Sequence, residues 1–367
     1  MMHKNNKNNN QIIYFNEDGY QKLYEYLLNK NHRDYGKNLF ILVDDLSYKY
    51  CFPILISYLN FLDTSHIIKI SPGEQEKNLN TCIFIWKNFE KFKANRSSVL
   101  INLGGGVITD IGGFSASVFK RGIRFINIPT TLLGMVDASI GNKTGINFGN
   151  IKNEIGSFYH PELLIIDPNF LKTLSKYEII SGQAEMIKHG LIFDKSFWIK
   201  LTKELDDNII PTQNLIYESI LIKTNIVEKD PTEIGLRKIL NFGHTIGHAL
   251  ESLFMKNPNK KYLLHGVAIA MGMIYESWIS YKINDLHIND YQEIKYFILN
   301  KYSLQEIINQ LSNDDINDIL LIMEHDKKNE NNKFLFSLLK EIGYCSYNCA
   351  VPISLIKESF FQVKTNH

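Results

Sequence analysis

Two histidines stand one helical turn apart in NFGHTIGHALE, residues 241–251. His244 and His248 share one face of a predicted helix within an apolar frame. A third histidine, His265, lies in LLHGVAIAMGM at the start of another predicted helix. Together with Glu185, two or three of these histidines predict a Zn²⁺ site that keeps one position open for substrate. Spacing alone leaves His248 and His265 as alternative third ligands, and core histidines with one hydrogen bond each are the other interpretation.

The predicted glutamate ligand lies in GQAEMIKHGLI, where Glu185 and Lys188 are three residues apart and share a helix face. An exposed ion pair is the usual interpretation of such spacing. The apolar neighbours here predict a buried position instead. A buried carboxylate needs a partner or a metal, which supports the predicted metal site.

A second segment, INLGGGVITDIGG, has the composition of a turn that binds anions. A predicted strand runs into Gly104, Gly105 and Gly106, and a helix containing Asp110 follows. Glycines at such a junction let backbone N–H groups approach a phosphate, and the helix N-terminus favours its negative charge. The segment does not match GxGxxG, and a tight turn that requires positive φ is the alternative.

The segment from residue 121 to residue 161 is unusually polar and rich in glycine. Arginine and lysine in such a segment suit a phosphate or a carboxylate, and a solvated surface loop is the alternative. The polar residues in question are Arg121, Thr130, Thr131, Asp137, Lys143, Lys152 and Asn153.

The elements that position these residues divide the chain into two predicted domains. In residues 1–176, short β-rich runs alternate with helical patterns, which predicts a parallel sheet with ligands beyond the carboxyl ends of its strands. The predicted strands are NLFILVDD, HIIKIS, SVLINLGGG, RFINIP and ELLIIDP. Residues 177–367 are predicted to be mainly helical, with one strand-like pair near KFLFSLLKEIGYCSYN. We expect the active site in the cleft between the two domains.

Composition narrows the class of protein. The 367 residues carry a net charge of +1 with both signs scattered, which argues against a nucleic-acid or anionic-membrane binder. The four cysteines are too few and too unevenly placed for a disulfide framework, which indicates a reducing compartment. The N-terminus lacks the apolar region of a signal peptide, and no apolar run reaches about 18 residues. These features predict a soluble cytoplasmic protein.

Six motifs, in order and spacing, resemble the 3-dehydroquinate synthase family. The motifs are GGGVITDIGGFSASVFKRGIRFINIPTTLLGMVDASIGNKTGIN, KNEIGSF, GQAEMIKHGLI, LRKILNFGHTIGHALE, LLHG and HDKKN. The resemblance implies an α/β fold with a Rossmann-like parallel-sheet NAD-binding domain, followed by a mainly α-helical metal- and substrate-binding domain. It also implies NAD and one zinc or cobalt ion as cofactors, and a homodimer.

The resemblance assigns the family's metal, NAD and substrate contacts to individual residues of this sequence. The resemblance assigns the metal to Glu185, His244 and His265, and it assigns His248 to the substrate pocket, near the phosphate group and proton movement. It assigns NAD contacts to Asp44, Glu74, Lys77, Gly105, Gly106, Asp110, Thr130 and Thr131. It assigns the substrate to Arg121, Lys152, Asn153, Lys188, Lys223, Arg237, Asn241 and a late lysine, Lys327 or preferably Lys328. Asp137 and Lys143 are expected between cofactor and substrate, and Lys152 is expected to serve both.

The implied activity is that of the shikimate pathway, which leads to chorismate and the aromatic amino acids. The substrate is 3-deoxy-D-arabino-heptulosonate 7-phosphate (DAHP), and the products are 3-dehydroquinate and phosphate. The implied steps are transient oxidation by NAD, β-elimination of phosphate, re-reduction, ring opening and an intramolecular aldol reaction. A metal lowers the pKa of the reacting alcohol, and Lys and Arg hold the leaving anion.

Three positions depart from the family pattern, and they are Asn142, His160 and Val267, the last of which replaces a common glutamate. Val267 predicts weaker orientation of His265, whereas Asn142 tolerates the positive φ of a tight turn. A decayed cyclase kept as a binding or scaffold protein is one alternative, and two other enzyme classes also stay open. One is a different sugar phosphate cyclase, of the 2-epi-5-epi-valiolone or 2-deoxy-scyllo-inosose synthase type. The other is a metal-dependent alcohol dehydrogenase of the glycerol dehydrogenase type.

Overall fold

A computed structural model describes residues 12–28, 38–149, 151–257, 260, 262–326 and 334–365. The chain forms two compact units, Met1–Ser175 and Lys176–His367. Within the described residues, no helix combines the length and apolar character that crossing a membrane requires.

The first unit is built on a parallel sheet. Its described strands are Ile13–Phe15 (β1), Leu39–Asp44 (β2), His66–Ile70 (β3), Val99–Gly104 (β4), Arg124–Pro129 (β5), Lys143–Phe148 (β6), Ile151–Phe158 (β7) and Leu163–Ile166 (β8). Six of them form one sheet in the order β1-β8-β5-β4-β2-β3, and each described pairing within it is parallel. The predicted parallel sheet and its five predicted strands are confirmed, while the three-residue strand β1 was not predicted.

Helices connect the strands of this sheet. They are Asn16–Leu28 (α1), Asp45–Tyr50 (α2), Phe52–Tyr58 (α3), Leu79–Lys91 (α4) and Gly106–Val118 (α5). The core between α4, α5 and the sheet contains fully buried aromatic and aliphatic side chains, such as Phe40, Phe89 and Phe125. A strand that is buried on both faces has a continuous run of apolar residues. LFILV in β2 and LLII in β8 are such runs, which explains why these strands could be predicted from the sequence.

The polar segment predicted as an anion-binding loop contains an antiparallel hairpin, β6–β7, in which Lys143 pairs with Phe158. Asn142 precedes the hairpin with φ of 61°, so the positive φ expected for this position is confirmed. A π-helical turn, Gly134–Ala138, connects β5 to the hairpin. The alternation of buried apolar and exposed polar residues that marks a strand is weak in this hairpin, because apolar side chains such as Phe148 are exposed.

The second unit is mainly helical, as predicted. Its described helices are Lys176–Phe193 (α6), Lys195–Asp207 (α7), Gln213–Lys229 (α8), His244–Lys256 (α9), His265–Ile283 (α10), Ile288–Tyr302 (α11), Gln305–Asn309 (α12), Asn313–Asp326 (α13) and Ile353–Thr365 (α14). The strand-like pair is confirmed as an antiparallel ladder of Phe334–Glu341 (β9) and Tyr344–Val351 (β10). The segment LRKILNFGHTIGHALESLF, residues 236–254, has the pattern of one continuous helix, and that prediction is wrong. Gly243 adopts φ of 79° and separates a 3₁₀ turn, Leu236–Asn241, from α9.

Candidate functional site

In the first unit, predicted nucleotide-binding residues collect at one edge of the sheet. Asp44 ends β2, Gly105 follows β4, and Thr130 follows β5, and these three strands are adjacent in the sheet. The carboxyl ends of parallel strands therefore bring these residues to a common edge, where open α/β sheets bind their ligands. Gly105 is the N-cap of α5, and a Cβ at this position would lie 3.0 Å from the Thr131 side chain. The turn thus has the bare backbone that phosphate binding at a helix N-terminus requires.

Lys77 links several of the predicted residues of this unit. Its Nζ donates to Asp110 Oδ2 and to Asn153 Oδ1, each at 2.5 Å, and the residue is 5% exposed. Burial raises the pKa of the Asp110 carboxyl, and the Lys77 ammonium opposes that rise. Asn147, which sequence reasoning missed, donates its side-chain amide to Glu74 and its backbone N–H to the Lys77 carbonyl. This network holds the segment after β3 against the hairpin.

We expect Lys77→Gln to lower the free energy of unfolding by about 3 kcal/mol near neutral pH, because it leaves the Asp110 carboxylate without its cation. Lys69→Gln is the matched control, since Lys69 pairs with Asp45 at 3.0 Å but both side chains are about half exposed. That change should cost less than about 1 kcal/mol. Urea unfolding of the three proteins gives both values.

The pH dependence of this difference has a definite sign. The pKa of Asp110 is raised in the folded protein, and removing Lys77 raises it further. A protonated Asp110 needs no cation, so the loss caused by Lys77→Gln should shrink as the pH falls toward the ordinary range of a carboxyl group. A loss that stays constant between pH 8 and pH 4 would contradict this account.

Three predicted cations and Asp137 lie on different elements of the first unit. Arg121 is exposed and follows the far end of α5, about 20 Å along that helix from Gly106, on the side of the sheet where β5 begins. Lys143 is exposed at one end of the hairpin, whereas the half-buried Lys152 lies next to its turn. Asp137 is half-buried in the π-helical turn.

In the second unit, three predicted metal ligands converge. Glu185 on α6 is fully buried, and its Oε1 lies 3.6 Å from His244 Nε2 and 3.6 Å from His265 Nε2. Its Oε1 has no hydrogen-bond donor among the described residues, whereas its Oε2 forms an ion pair with the Lys188 ammonium. Ligand atoms that surround a tetrahedral Zn²⁺ at its usual bond lengths are roughly 3.4 Å apart. The two distances from Glu185 Oε1 to the histidine nitrogens therefore suit ligands that share one divalent metal.

The charges at this cluster are strongly coupled. Burial acts to raise the pKa of the Glu185 carboxyl, but Lys188, His244 and His265 outweigh burial and hold that pKa well below its ordinary value. Burial and the Lys188 ammonium hold the pKa of His244 well below its usual range. Burial also acts to lower the pKa of His265, yet the carboxylates of Glu185 and Glu251 raise it to about 9. The cluster combines an anionic oxygen with an imidazole kept neutral, which suits a metal.

Each metal histidine is oriented through its other ring nitrogen. His244 Nδ1 lies 3.1 Å from the Phe242 carbonyl oxygen, and His265 Nδ1 lies 3.3 Å from Glu251 Oε2. Such contacts fix the ring so that Nε2 faces the metal. Val267 was expected to weaken the orientation of His265, but Glu251 supplies an orienting carboxylate. Sequence reasoning missed Glu251, although it lies two helical turns beyond His244 on the same face.

His248 lies close to the same point. Its ring centroid is 5.1 Å from that of His244 and 5.7 Å from that of His265. One ligand atom from each of the three histidines lies within 4.8 Å of the others, so a three-histidine set is also sterically possible. The buried carboxylate of Glu185, equidistant from His244 and His265, favours the set that contains it.

Four further predicted residues of this unit contribute polar groups. Lys188 is 1% exposed and contacts Glu185 Oε2, and Lys223 on α8 is 6% exposed. Arg237 is 3% exposed, and its guanidinium donates to the Pro231 carbonyl at 2.7 Å. Asn241 donates to Glu233 at 2.8 Å. Lys327 and Lys328 lie outside the described residues.

The local fold explains how a loop positions Arg237. The Asp230 carboxylate accepts backbone N–H groups from Ile234, Gly235 and Arg237, at 3.1, 2.8 and 3.0 Å. Three such bonds to one carboxylate fix the loop before the 3₁₀ turn, and they lower the pKa of Asp230. Because the loop is fixed, the 3₁₀ turn that contains Arg237 and Asn241 starts at a fixed position.

Comparisons with known proteins identify the family of the chain. A family model described as 3-dehydroquinate synthase N-terminal matches residues 67–181, and one described as 3-dehydroquinate synthase C-terminal matches residues 182–329. The 3-dehydroquinate synthase of Parabacteroides distasonis is 42% identical over 88% of this chain and 90% of its own.

Solved structures give the class of fold. A 2-deoxy-scyllo-inosose synthase complexed with carbaglucose-6-phosphate, NAD⁺ and Co²⁺ is similar with a TM-score of 0.81 and 25% identity, over 95% of this chain and 96% of its own. The 2-epi-5-epi-valiolone synthase ValA of Streptomyces hygroscopicus, with NAD⁺ and Zn²⁺ bound, is similar with a TM-score of 0.80 and 23% identity, over 99% of each chain. The fold is thus that of the sugar phosphate cyclases. Within that class, the chain belongs to the 3-dehydroquinate synthase family.

Proposed function

We propose that the protein is a 3-dehydroquinate synthase that converts DAHP into 3-dehydroquinate and phosphate. The observation that carries this proposal is the convergence of Glu185 Oε1 with the Nε2 atoms of His244 and His265, in a chain of this family. A buried carboxylate with two oriented imidazoles suits a metal that keeps a position open for substrate.

Two cofactors are part of the proposal. Zinc or cobalt would be held by Glu185, His244 and His265. NAD would be held at the sheet edge around Gly105 and Thr130, where the bare backbone at the start of α5 suits a pyrophosphate. When bound, the metal supplies Lewis acidity toward an alcohol oxygen of the substrate, and NAD supplies a reversible hydride acceptor.

The chain's own residues bind and orient the anionic substrate. Lys188, Lys223 and Arg237 are all less than a tenth exposed, so their charges act where water screens them weakly. They would neutralise the carboxylate and the phosphate of DAHP and hold the phosphate as it leaves. His248, beside both metal histidines, would move a proton near the departing phosphate.

The other sugar phosphate cyclases share the fold but form different products. Both solved cyclases are at most 25% identical to this chain, whereas the Parabacteroides distasonis enzyme is 42% identical. We therefore expect the protein to prefer DAHP, which carries a carboxylate, over sugar phosphates that lack one.

A substrate panel tests this proposal. Phosphate release by the zinc-loaded protein with NAD⁺ should be at least 100-fold faster, as kcat/KM, from DAHP than from glucose 6-phosphate or sedoheptulose 7-phosphate. Loss of a buried pairing for the carboxylate explains a discrimination of this size. Equal rates from all three substrates would instead indicate a cyclase with another product.

The assembly and location of the protein complete the proposal. We infer a homodimer in the cytoplasm, and sedimentation equilibrium should give a particle of two chain masses. A particle of one chain mass at micromolar concentration would contradict the dimer.

A further inference from the structure

Each of the two helices that carry the predicted metal histidines supplies a carboxylate that contacts the other helix. Glu251 on α9 contacts the ring of His265 on α10. In the opposite direction, Glu276 on α10 accepts the backbone N–H groups of Gly243 and Ile246 at the start of α9, at 2.7 and 3.0 Å. Glu276 is not among the residues that the sequence nominated.

The contacts of Glu276 replace a missing helix cap. The N-cap of α9 is Gly243, which has no side chain to accept the free N–H groups of the first turn. In a capping box, two side chains of the helix itself satisfy the N–H groups of the N-cap and of the third helical residue. Here the two oxygens of Glu276 satisfy that same pair, and His244 lies between the two bonded residues.

Close packing of glycines brings Glu276 to this position. A Cβ at Gly272 would lie 2.0 Å from the Gly243 carbonyl oxygen and 2.8 Å from the Gly247 backbone nitrogen. The backbones of α9 and α10 therefore touch at Gly272, and Glu276 lies one turn further along α10. Glu276 is fully buried, so its carboxylate stays at the cap without competition from water.

We propose that Glu276 is a positioning residue for metal binding. It fixes the backbone on both sides of His244, so that His244 Nε2 lies 3.6 Å from Glu185 Oε1. Glu251 on α9 orients His265 on α10, and Glu276 on α10 fixes the backbone around His244 on α9. Each helix therefore positions the histidine of the other helix. This inference rests on the proposed metal site and adds a residue that determines its affinity.

Cobalt binding tests this role directly. The metal-free protein and its Glu276→Gln variant are titrated with Co²⁺ in competition with a chelator, and the visible absorption of the bound Co²⁺ is recorded. The amide nitrogen of Gln would face a backbone N–H, so one of the two bonds is lost. We expect the Co²⁺ affinity to fall about 10–100-fold and the absorption bands to shift, as for other residues that orient metal ligands.

Asp194→Ala is the matched control. Asp194 caps α7 by accepting the N–H groups of Ser196 and Phe197 at 2.8 and 3.1 Å, so its loss also removes a helix cap. Both variants should lower the melting temperature of the metal-free protein by a few degrees, but only Glu276→Gln should change Co²⁺ affinity and absorption. Wild-type affinity and absorption in Glu276→Gln would overturn the inference.

Two further outcomes are separable. If Glu276→Gln does not fold, Glu276→Asp is measured instead; it keeps the charge but shortens the side chain, so it should shift the absorption and lower affinity less than 10-fold. An unchanged spectrum in Glu276→Asp would again overturn the inference. If the wild-type protein binds no Co²⁺, the proposed metal site itself fails, and the role of Glu276 fails with it.

Discussion

Replacing His244 with alanine should strip the metal from the protein and abolish its activity, whereas His248→Ala should keep the metal and slow the reaction. His244 Nε2 lies 3.6 Å from Glu185 Oε1, and its Nδ1 is held by the Phe242 carbonyl. Loss of a direct ligand should cost more than the roughly 10–100-fold in affinity that loss of an orienting partner costs. His248→Ala leaves that ligand set intact and removes a group for proton movement, which is worth roughly 100-fold in rate or more.

Metal content after dialysis, measured with kcat for each variant, separates these roles. His287→Ala is the matched control, because His287 caps α11 by accepting the Asn289 N–H and lies on a helix that contributes no predicted ligand. It should keep both metal and rate. Equal loss of metal in His244→Ala and His248→Ala would instead favour the three-histidine set.

Lys188→Met should lower kcat/KM for DAHP by about 1000-fold without loss of metal. Lys188 is 1% exposed and contacts Glu185 Oε2, so its charge is not screened by water. Once a metal neutralises Glu185, this ammonium is available to the substrate anion. Removing one preorganised charge from such a site typically costs 100- to 1000-fold in kcat.

The same substitution should destabilise the metal-free protein more than the metal-bound protein. Without metal, Lys188→Met leaves the buried Glu185 carboxylate without its cation, which should cost about 3 kcal/mol or more. With metal bound, that loss should largely disappear. Lys295→Met is the control, because Lys295 is 2% exposed and its Nζ has no hydrogen-bond partner among the described residues. Its replacement should change neither activity nor the metal dependence of stability.

The parts of this molecule that were predictable have strong local patterns. The buried strand β2 is a continuous apolar run, and Gly104 to Gly106 mark the end of β4 and the start of α5. The spacing of His244 and His248 indicated a metal or core site within one helix. It left the third ligand undecided, because His265 comes from a helix whose packing local sequence does not encode.

The parts that were not predictable depend on contacts between distant segments. Glu276 caps α9 across 33 residues of chain, and Lys77 reaches Asn153 across 76. Neither partner follows from spacing, because these contacts exist only after the helices and the hairpin have packed.

We expect the protein to eliminate phosphate from DAHP while its NAD is only transiently reduced. The most direct measurement is phosphate release by the purified, zinc-loaded protein with DAHP and NAD⁺, with absorbance at 340 nm followed in parallel. We expect phosphate and 3-dehydroquinate in equal amounts, with no accumulation of NADH. NADH that accumulates in proportion to substrate, without phosphate, would contradict the claim and point to an alcohol dehydrogenase.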